Sequence, residues 1–320
     1  PAGTPSALVT AVEAGTDAVY CGFADETNAR NFPGLNFSRK EMREGIRLAH
    51  KNGVNVLVAI NTFPRAGQLD LWHRAVDDAV NAGADALILA DLGLLAYAAE
   101  KQPRARLHLS VQAAASNPDA INFYVRRFGV KRVVLPRVLT VDEIAAINRE
   151  IDCETEVFAF GGLCVMAEGR CSLSSYATGE SPNMHGVCSP ASHVDYHEDG
   201  EEFVSRLGGY TINRVGKDEP RAYPTLCKGR FACGGTTGHV FEDPVSLDAS
   251  ALMPALKKAG VTALKIEGRQ RSRAYTLAVV QAFRRAVEDL DRDGDVRPLD
   301  LAAFTEGGQA TGGAYRKVWR

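Results

Sequence analysis

A short β-rich run, a turn and an amphipathic helix recur in that order through the first 160 residues, and this alternation constrains the fold more than any other feature. Candidate strands are Asp17 to Phe23, Asn55 to Thr62, Ala84 to Asp91, Arg106 to Ala113, Lys131 to Val138 and Thr155 to Phe160. Each is rich in Val, Ile, Leu or aromatic residues and is bounded by Gly, Pro or Asn. Between them lie helical patterns such as Ser38 to Asn52, where Met42, Ile46 and Ala49 fall at helical spacing. Ser38 is placed as an N-cap with Glu41 three residues later, a capping box. Asn117-Pro118-Asp119 and Thr140-Val141-Asp142-Glu143 open two more helices in the same style. Regular β–α alternation calls for a parallel sheet, either open or closed on itself.

After Phe160 the rhythm stops. Residues 161 to about 245 are rich in Gly, Ser, Cys and Pro and hold five of the seven cysteines. The alternation resumes with a helix (Ser250 to Ala259), a strand (Ala263 to Arg269) and a long helix (Arg273 to Leu290), which makes seven strands. An eighth is due before the short helix Thr4 to Ala14, but the chain begins at Pro1. The expectation is an α/β fold, a (β/α)8 TIM-like barrel with its first strand truncated and a Cys-rich insertion; an open doubly wound sheet is the alternative. The chain then divides into 1–160 and 246–290 for the barrel, 161–245 for the insertion and 291–320 for a C-terminal tail.

With 320 residues, 45% of them hydrophobic and 24% charged, the chain can bury a large core and is not intrinsically disordered. Its net charge of −2 weighs against a nucleic-acid partner, which favours a clearly basic surface. No apolar run approaches the roughly 18 residues of a membrane span, and no signal peptide is visible, so a cytoplasmic location is expected. In that compartment an odd set of cysteines does not read as disulfides.

Several strands carry polar residues at alternate positions, hence on one face. His108, Ser110 and Gln112 alternate with Leu107, Leu109 and Val111, and Lys265, Glu267 and Arg269 alternate with Leu264 and Ile266. Asn61, Asp91 and Arg137 stand near the C-terminal ends of their strands. The outward parity of a barrel packs on helices, so these polar sets are expected inside, near the mouth where barrel enzymes place their sites. A plainer reading is an internal ion-pair layer in which Glu267 neutralises Lys265 and Arg269. A mouth holding several cations suits an anionic, carboxylated small molecule.

Cys164, Cys171, Cys188 and Cys227 are separated by 7, 17 and 39 residues. Structural zinc more often uses close CxxC pairs, whereas spread cysteines converge on iron–sulfur clusters, for which four thiolates are the norm. Zinc and free or redox thiols remain open on spacing alone, and Cys233 competes for the last place. Cys21 and Cys153 lie in or beside strands and read as small core residues. Ser172, Ser174, Ser175, His185, His193 and His197 supply nucleophile and base types without a GxSxG elbow or HExxH helix, and a Cys–His peptidase pair is the weakest reading. Gly234-Gly235-Thr236-Thr237-Gly238 lacks the GK[ST] of a P-loop and reads as a turn.

The stretch Glu156-Val-Phe-Ala-Phe-Gly-Gly-Leu-Cys164, with Met166, Gly169, Cys171 and Ser174, resembles the signature of the collagenase-like peptidase family U32. Asn28-Ala-Arg30, Gly34 to Phe37, Ala84 to Leu92, Val133 to Leu139, Leu173 to Tyr176, Thr178 to Asn183, Tyr223 to Arg230 and Lys265 to Ser272 extend the likeness to about residue 290. They are most similar to the branch linked to oxygen-independent ubiquinone biosynthesis. The resemblance implies a 4Fe-4S cluster on Cys164, Cys171, Cys188 and Cys227, with Cys233 a bystander. It further implies hydroxylation of prenylated aromatic rings with prephenate as the hydroxyl donor, as a heterodimer with a UbiV-like homologue. A lipid-carrier protein would present the precursor. On this reading Arg137, Lys265 and Arg269 hold donor carboxylates, and His108 or Glu267 moves protons. An RNA base hydroxylase and a non-catalytic cluster-bearing subunit are the alternatives.

Overall fold

The computed structural model describes residues 1–166, 168, 171–182, 187–219 and 223–316. Gly169, Asn183 and His185, and the tail residues Lys317 to Arg320, lie outside the described residues. All seven expected strands are present: β1 (Ala18–Gly22), β2 (Asn55–Ile60), β3 (Ala86–Leu89), β4 (Leu107–Leu109), β5 (Arg132–Val134), β6 (Glu154–Gly162) and β13 (Ala263–Ile266). They join in chain order, each parallel to the next, and β13 pairs parallel with β6. The fold is therefore α/β with a mostly parallel sheet. Among the described residues no strand ladder joins β13 back to β1. That gap is bridged by the Ala2 amide, which donates to the Tyr20 carbonyl at 3.0 Å, and by the Tyr20 hydroxyl, which donates to the Ile266 carbonyl at 3.1 Å.

Helices α1 (Pro5–Glu13), α2 (Arg39–Lys51), α3 (Leu69–Ala82), α4 (Leu92–Lys101), α5 (Pro118–Phe128) and α6 (Val141–Asn148) cover the sheet. Their starts follow the local chemistry. Ser38 and Thr140 each form the reciprocal capping box with Glu41 and Glu143, and Asn117 accepts the Ala120 amide. One strand parity (Val19, Cys21, Val56, Val58, Ile60, Leu87, Leu89, Leu107, Leu109, Val133) packs with the helices in the main core. The other parity is thinner, with Tyr20, Leu57, Ala59, Ala86 and Ile88 forming a small inner cluster. Its remaining places are taken by polar groups, and this positions the site.

Residues 163–245 rise from the end of β6. They carry a short helix α7 (Leu173–Thr178), a three-stranded antiparallel sheet of β7 (Val194–Asp199), β8 (Glu202–Leu207) and β9 (Tyr210–Gly216), and a hairpin of β10 (Arg230–Cys233) and β11 (Thr236–His239). Gly234 and Gly235 form its two-residue loop, both at positive φ, as a tight hairpin turn demands. The chain then returns as β12 (Ser246–Asp248), antiparallel to the end of β6. Helices α8 (Met253–Lys258) and α9 (Arg273–Asp293) flank β13. The segment after α9 is no loose tail: Leu301, Ala314 and Tyr315 are buried, and β14 (Ala310–Thr311) pairs with β12. No helix among the described residues is long and apolar enough to cross a membrane.

Candidate active site at the mouth of the sheet

A cavity of about 100 Å³ opens where the C-terminal ends of the strands meet. Tyr20, Arg30, Asn61, Ser110, Gln112 and Arg137 line one part, and Phe158, Glu168, Lys265, Glu267 and Arg269 the other. The loop after β1 brings in Arg30. Asn28 and Asn36, both buried, tie this loop to itself: the Asn28 amide group donates to Asn36 Oδ1 at 2.8 Å, and that of Asn36 donates to the Arg30 carbonyl at 2.8 Å. Asn61 Oδ1 at the end of β2 accepts the Ala29 amide at 3.0 Å. Three short amides thus fix a backbone that has no regular structure of its own.

The charges sort into pairs. Arg137 is buried and donates to Glu168 at 2.5 Å and to Glu267 at 2.6 Å, with its guanidinium 3.4 Å from the Phe158 ring centroid. Glu267 also faces Arg30 at 3.6 Å. Burial pushes Glu267 up, but Arg137 and Arg30 outweigh it and hold the carboxyl below its ordinary range. At Glu168 burial wins over the shared attraction of Arg137 and raises the pKa. Among the described residues its Oε2 is buried without a partner, as is Gln112 Oε1. Gly161, at φ +127°, lets Glu267 pack against β6; a Cβ there would stand 2.7 Å from that of Glu267.

Lys265 is bound to Glu156 at 2.6 Å and lies 3.9 Å from the Tyr20 ring centroid. Glu267 therefore neutralises Arg137 and Arg30, not Lys265 or Arg269. Among the described residues Arg269 has no carboxylate within ion-pair distance. It donates to Asn28 Oδ1 at 2.8 Å and sits 5.3 Å from the Tyr20 ring centroid. Burial above all, with the charge of Arg30, pulls its pKa below the ordinary value. Glu267 attracts Arg269 from beyond ion-pair distance, so a carboxylate ligand could still take the direct charge-assisted contact.

His108 is placed elsewhere. It lines a second cavity of about 760 Å³ beneath Tyr20 and Lys265, with Arg106, Arg132 and Glu156, and is not among the residues lining the mouth. Its Nε2 accepts from Arg106 at 3.1 Å, and its Nδ1 is buried without a partner. Burial first, and then the charge of Arg132, lowers its pKa to about 3. The unfolded chain binds this proton near pH 6.5 and the folded chain does not, so the folded state loses stability as pH falls from 6.5 toward 3. From this residue alone, unfolding free energy should drop by about 2 kcal/mol between pH 7 and 5. Urea titrations of wild type and His108→Gln across that range test this, and parallel pH profiles for the two would refute it.

Cys164 follows β6 by two residues, Cys171 precedes α7, Cys188 lies beyond it, and Cys227 sits in the 3-10 turn Leu226–Lys228. None is in a disulfide. The Ser174 hydroxyl donates to the Cys188 carbonyl at 2.7 Å, and that of Ser189 to the Pro224 carbonyl at 2.6 Å, which pins the Cys188 and Cys227 loops together. Burial raises the Cys188 thiol, with Cys227 and Cys171 near enough to add to the effect, and burial likewise pushes Cys164 up to about 12. Against the lowering effect of burial, Glu267, Cys188 and Cys164 hold the Arg30 pKa up, so these two thiols act on a residue that lines the mouth cavity. No group of three or more His, Cys, Asp or Glu side chains among the described residues is drawn in as around a single metal ion. Four thiolates are the usual donor set of a cubane cluster, a larger body than one ion. Cys21 is fully buried, Cys153 half-buried, and Cys233 exposed in the hairpin. Ser174 is engaged with Cys188, and His193 and His197 pair locally with Ser192 and Asp195 away from the mouth.

Arg30, Asn28 and Glu168 carry no periodic signal, and their part in the cavity is visible only in three dimensions, whereas Tyr20 stands on the inner parity of β1. The strings Asn28-Ala-Arg30 and Met166 to Cys171 were the one available pointer.

The family model for peptidase family U32 matches residues 3–306. The chain is 34% identical over 314 residues to tRNA hydroxylation protein P of Escherichia coli (strain K12), covering 90% of this chain and 67% of that protein. It is 28% identical over 300 residues to the 23S rRNA 5-hydroxycytidine C2501 synthase of the same strain, covering 92% and 40%. To a collagenase of Porphyromonas gingivalis it is 27% identical over 299 residues, covering 90% and 64%. The chain thus spans about two thirds of the length of the first and third of these relatives, and less of the second. Among solved structures, the U32 peptidase Mk0906 aligns over 46% of this chain and 62% of that one, with a TM-score of 0.38 and 17% identity.

Proposed function

Because the chain belongs to peptidase family U32, we propose that it is an oxygen-independent hydroxylase that holds a 4Fe-4S cluster on Cys164, Cys171, Cys188 and Cys227 beside the mouth of a (β/α)8-like barrel. Its substrate is the aromatic ring of a prenylated ubiquinone precursor, presented by a lipid-carrier protein. Prephenate is the hydroxyl donor, and the working unit is a cytoplasmic heterodimer with a UbiV-like homologue. The observation that carries the reading is Arg269, a buried cation with no carboxylate at ion-pair distance among the described residues, in a cavity whose Arg30 interacts with Cys164 and Cys188. The two relatives named for RNA hydroxylation support hydroxylation as the reaction class.

In this scheme a ring C–H becomes C–OH while the donor exchanges its hydroxyl for hydrogen, so oxygen and oxidising equivalents come from one molecule. Arg269 holds a donor carboxylate, with Asn28 fixing the guanidinium and Tyr20 flanking it. Arg30 adds positive potential. Arg137 orients Glu267 and Glu168 instead of binding ligand directly, and Lys265 is engaged by Glu156, so both act as positioning residues. Glu168, its pKa raised and one oxygen unpartnered, is placed to give or take a proton in the cavity. When bound, the cluster supplies one-electron transfer, since four thiolates leave no vacant iron site.

A second reading, an RNA base hydroxylase, is favoured by the names of the relatives. The deciding experiment incubates the anaerobically purified protein and its homologue with prephenate and either a prenylated phenol or unmodified tRNA, and reads mass increments. A gain of one oxygen on the phenol ring supports the proposal. Hydroxylated nucleosides with an unchanged phenol would overturn it in favour of RNA.

A further inference from the structure

The segment after α9 ends in a buried carboxylate that the chemistry above does not use. The Glu306 side chain is only 8% exposed and forms an ion pair with Lys228, whose side chain is 6% exposed. Its other oxygen accepts the Tyr223 amide at 3.2 Å. One carboxylate therefore grips both ends of the stretch from Tyr223 to Lys228, and Cys227 lies inside it. Lys228 also donates to the Val245 carbonyl at 3.2 Å, so its long side chain is fully committed.

Glu306 is itself anchored. Its amide donates to Ser246 Oγ at 2.8 Å, and the Ser246 amide donates to the Gln309 carbonyl at 3.1 Å. Ser246 opens β12, which pairs with β14 on one side and with Gly161 and Gly162 of β6 on the other. Two residues further along, the same strand delivers Cys164. Tyr315 locks the far end of the segment by donating to the Phe158 carbonyl at 2.9 Å. A continuous set of contacts thus runs from the Cys164 strand through β12 to Glu306 and on to the Cys227 turn. Cys188 joins it through Ser189 and Pro224.

We propose that Glu306 is a positioning residue that sets the Cys227 thiol against the Cys164 strand, so that the C-terminal segment governs how tightly the cysteine site holds its cluster. This rests on the cluster assignment above. The physical reason is pre-organisation: a ligand on an irregular loop costs conformational entropy to place, and a buried, fully bonded carboxylate prepays that cost. Such a pair adds little net stability over apolar replacements, so its retention points to geometry.

The test compares the full-length wild type with Glu306→Ala, Glu306→Gln and a matched destabilised control, Ile144→Ala, in the core far from the cysteines. Iron and acid-labile sulfide per chain are measured after anaerobic purification, with the decay of the visible band in air and the urea midpoint. Glu306→Ala is expected to bleach at least fivefold faster than wild type and to hold less than half its iron. Glu306→Gln, whose single oxygen can accept from only one of Tyr223 and Lys228, should fall between Glu306→Ala and wild type, while Ile144→Ala should stay within twofold of wild type despite its lower urea midpoint. Equal bleaching in Glu306→Ala and Ile144→Ala would reduce Glu306 to general stability and overturn the proposal, as would wild-type retention in Glu306→Ala. A wild type without sulfide would instead bring down the cluster assignment itself, and the proposal with it.

Discussion

Alanine at any one of Cys164, Cys171, Cys188 or Cys227 is expected to cut iron from about four per chain to below one, with loss of the broad visible band. Cys233→Ala should keep both. The contrast follows from placement. The four thiols are half-buried, and Ser174 and Ser189 pin the Cys188 and Cys227 segments, whereas Cys233 is exposed on a hairpin strand. Removing one thiolate leaves an iron without its protein ligand, and at Cys164, Cys188 and Cys227 burial opposes ionisation of the free thiol. Hydroxylation should fall at least a hundredfold in each of the four variants. Iron and sulfide analysis of anaerobic preparations, read beside circular dichroism, separates loss of cluster from loss of fold. Stoichiometric zinc without sulfide in the wild type would defeat the assignment, and Cys233→Ala losing iron as readily as Cys227→Ala would defeat the choice of ligands.

Much of the frame was legible before any coordinates because it rests on local rules. The alternation of Val, Ile and Leu marked seven strands, and Ser38, Asn117 and Thr140 marked helix starts, since a capping box needs only four residues. What strand parity does not carry is depth. His108 and Ser110 share a parity, yet two residues at about 3.3 Å each separate the lower cavity from the mouth, and of the two only Ser110 reaches the upper one. The expected alternation stops at Gln112 because Val111–Ala113 turn as a 3-10 helix. Ion pairing was opaque for a related reason. Lys265 and Glu267 looked like neighbours on one strand face, but the register of β13 against β6 shifts after Lys265. Lys265 is left to Glu156 and Glu267 to Arg137. Arg30 was hidden because a loop held by Asn28, Asn36 and Asn61 has no period to read.

Arg269 and Arg137 look interchangeable in the sequence, and replacing each with Met should move stability in opposite directions. Arg137→Met strips Glu168 and Glu267 of their shared partner, leaving Glu267 with Arg30 and the buried Glu168 without an ion pair among the described residues; breaking such a pair costs about 3–5 kcal/mol. Its urea midpoint should fall sharply. Among the described residues Arg269 has no carboxylate at ion-pair distance to abandon, and burial together with Arg30 disfavours its charge. Arg269→Met should therefore leave the midpoint unchanged or raise it, while the apparent KM for the donor rises by roughly 10- to 100-fold, as expected for a lost charge-assisted hydrogen bond of about 1.5–3 kcal/mol. A site that keeps a buried cation without a direct carboxylate partner at the expense of stability keeps it for a ligand, the trade that functional sites show elsewhere. Arg269→Lys should recover part of the affinity, because the charge returns without the planar fork. The measurement is a paired urea and donor titration on the three variants. Destabilisation of Arg269→Met to the level of Arg137→Met, with an unchanged donor KM, would make Arg269 a structural group and leave the cavity without its anion anchor.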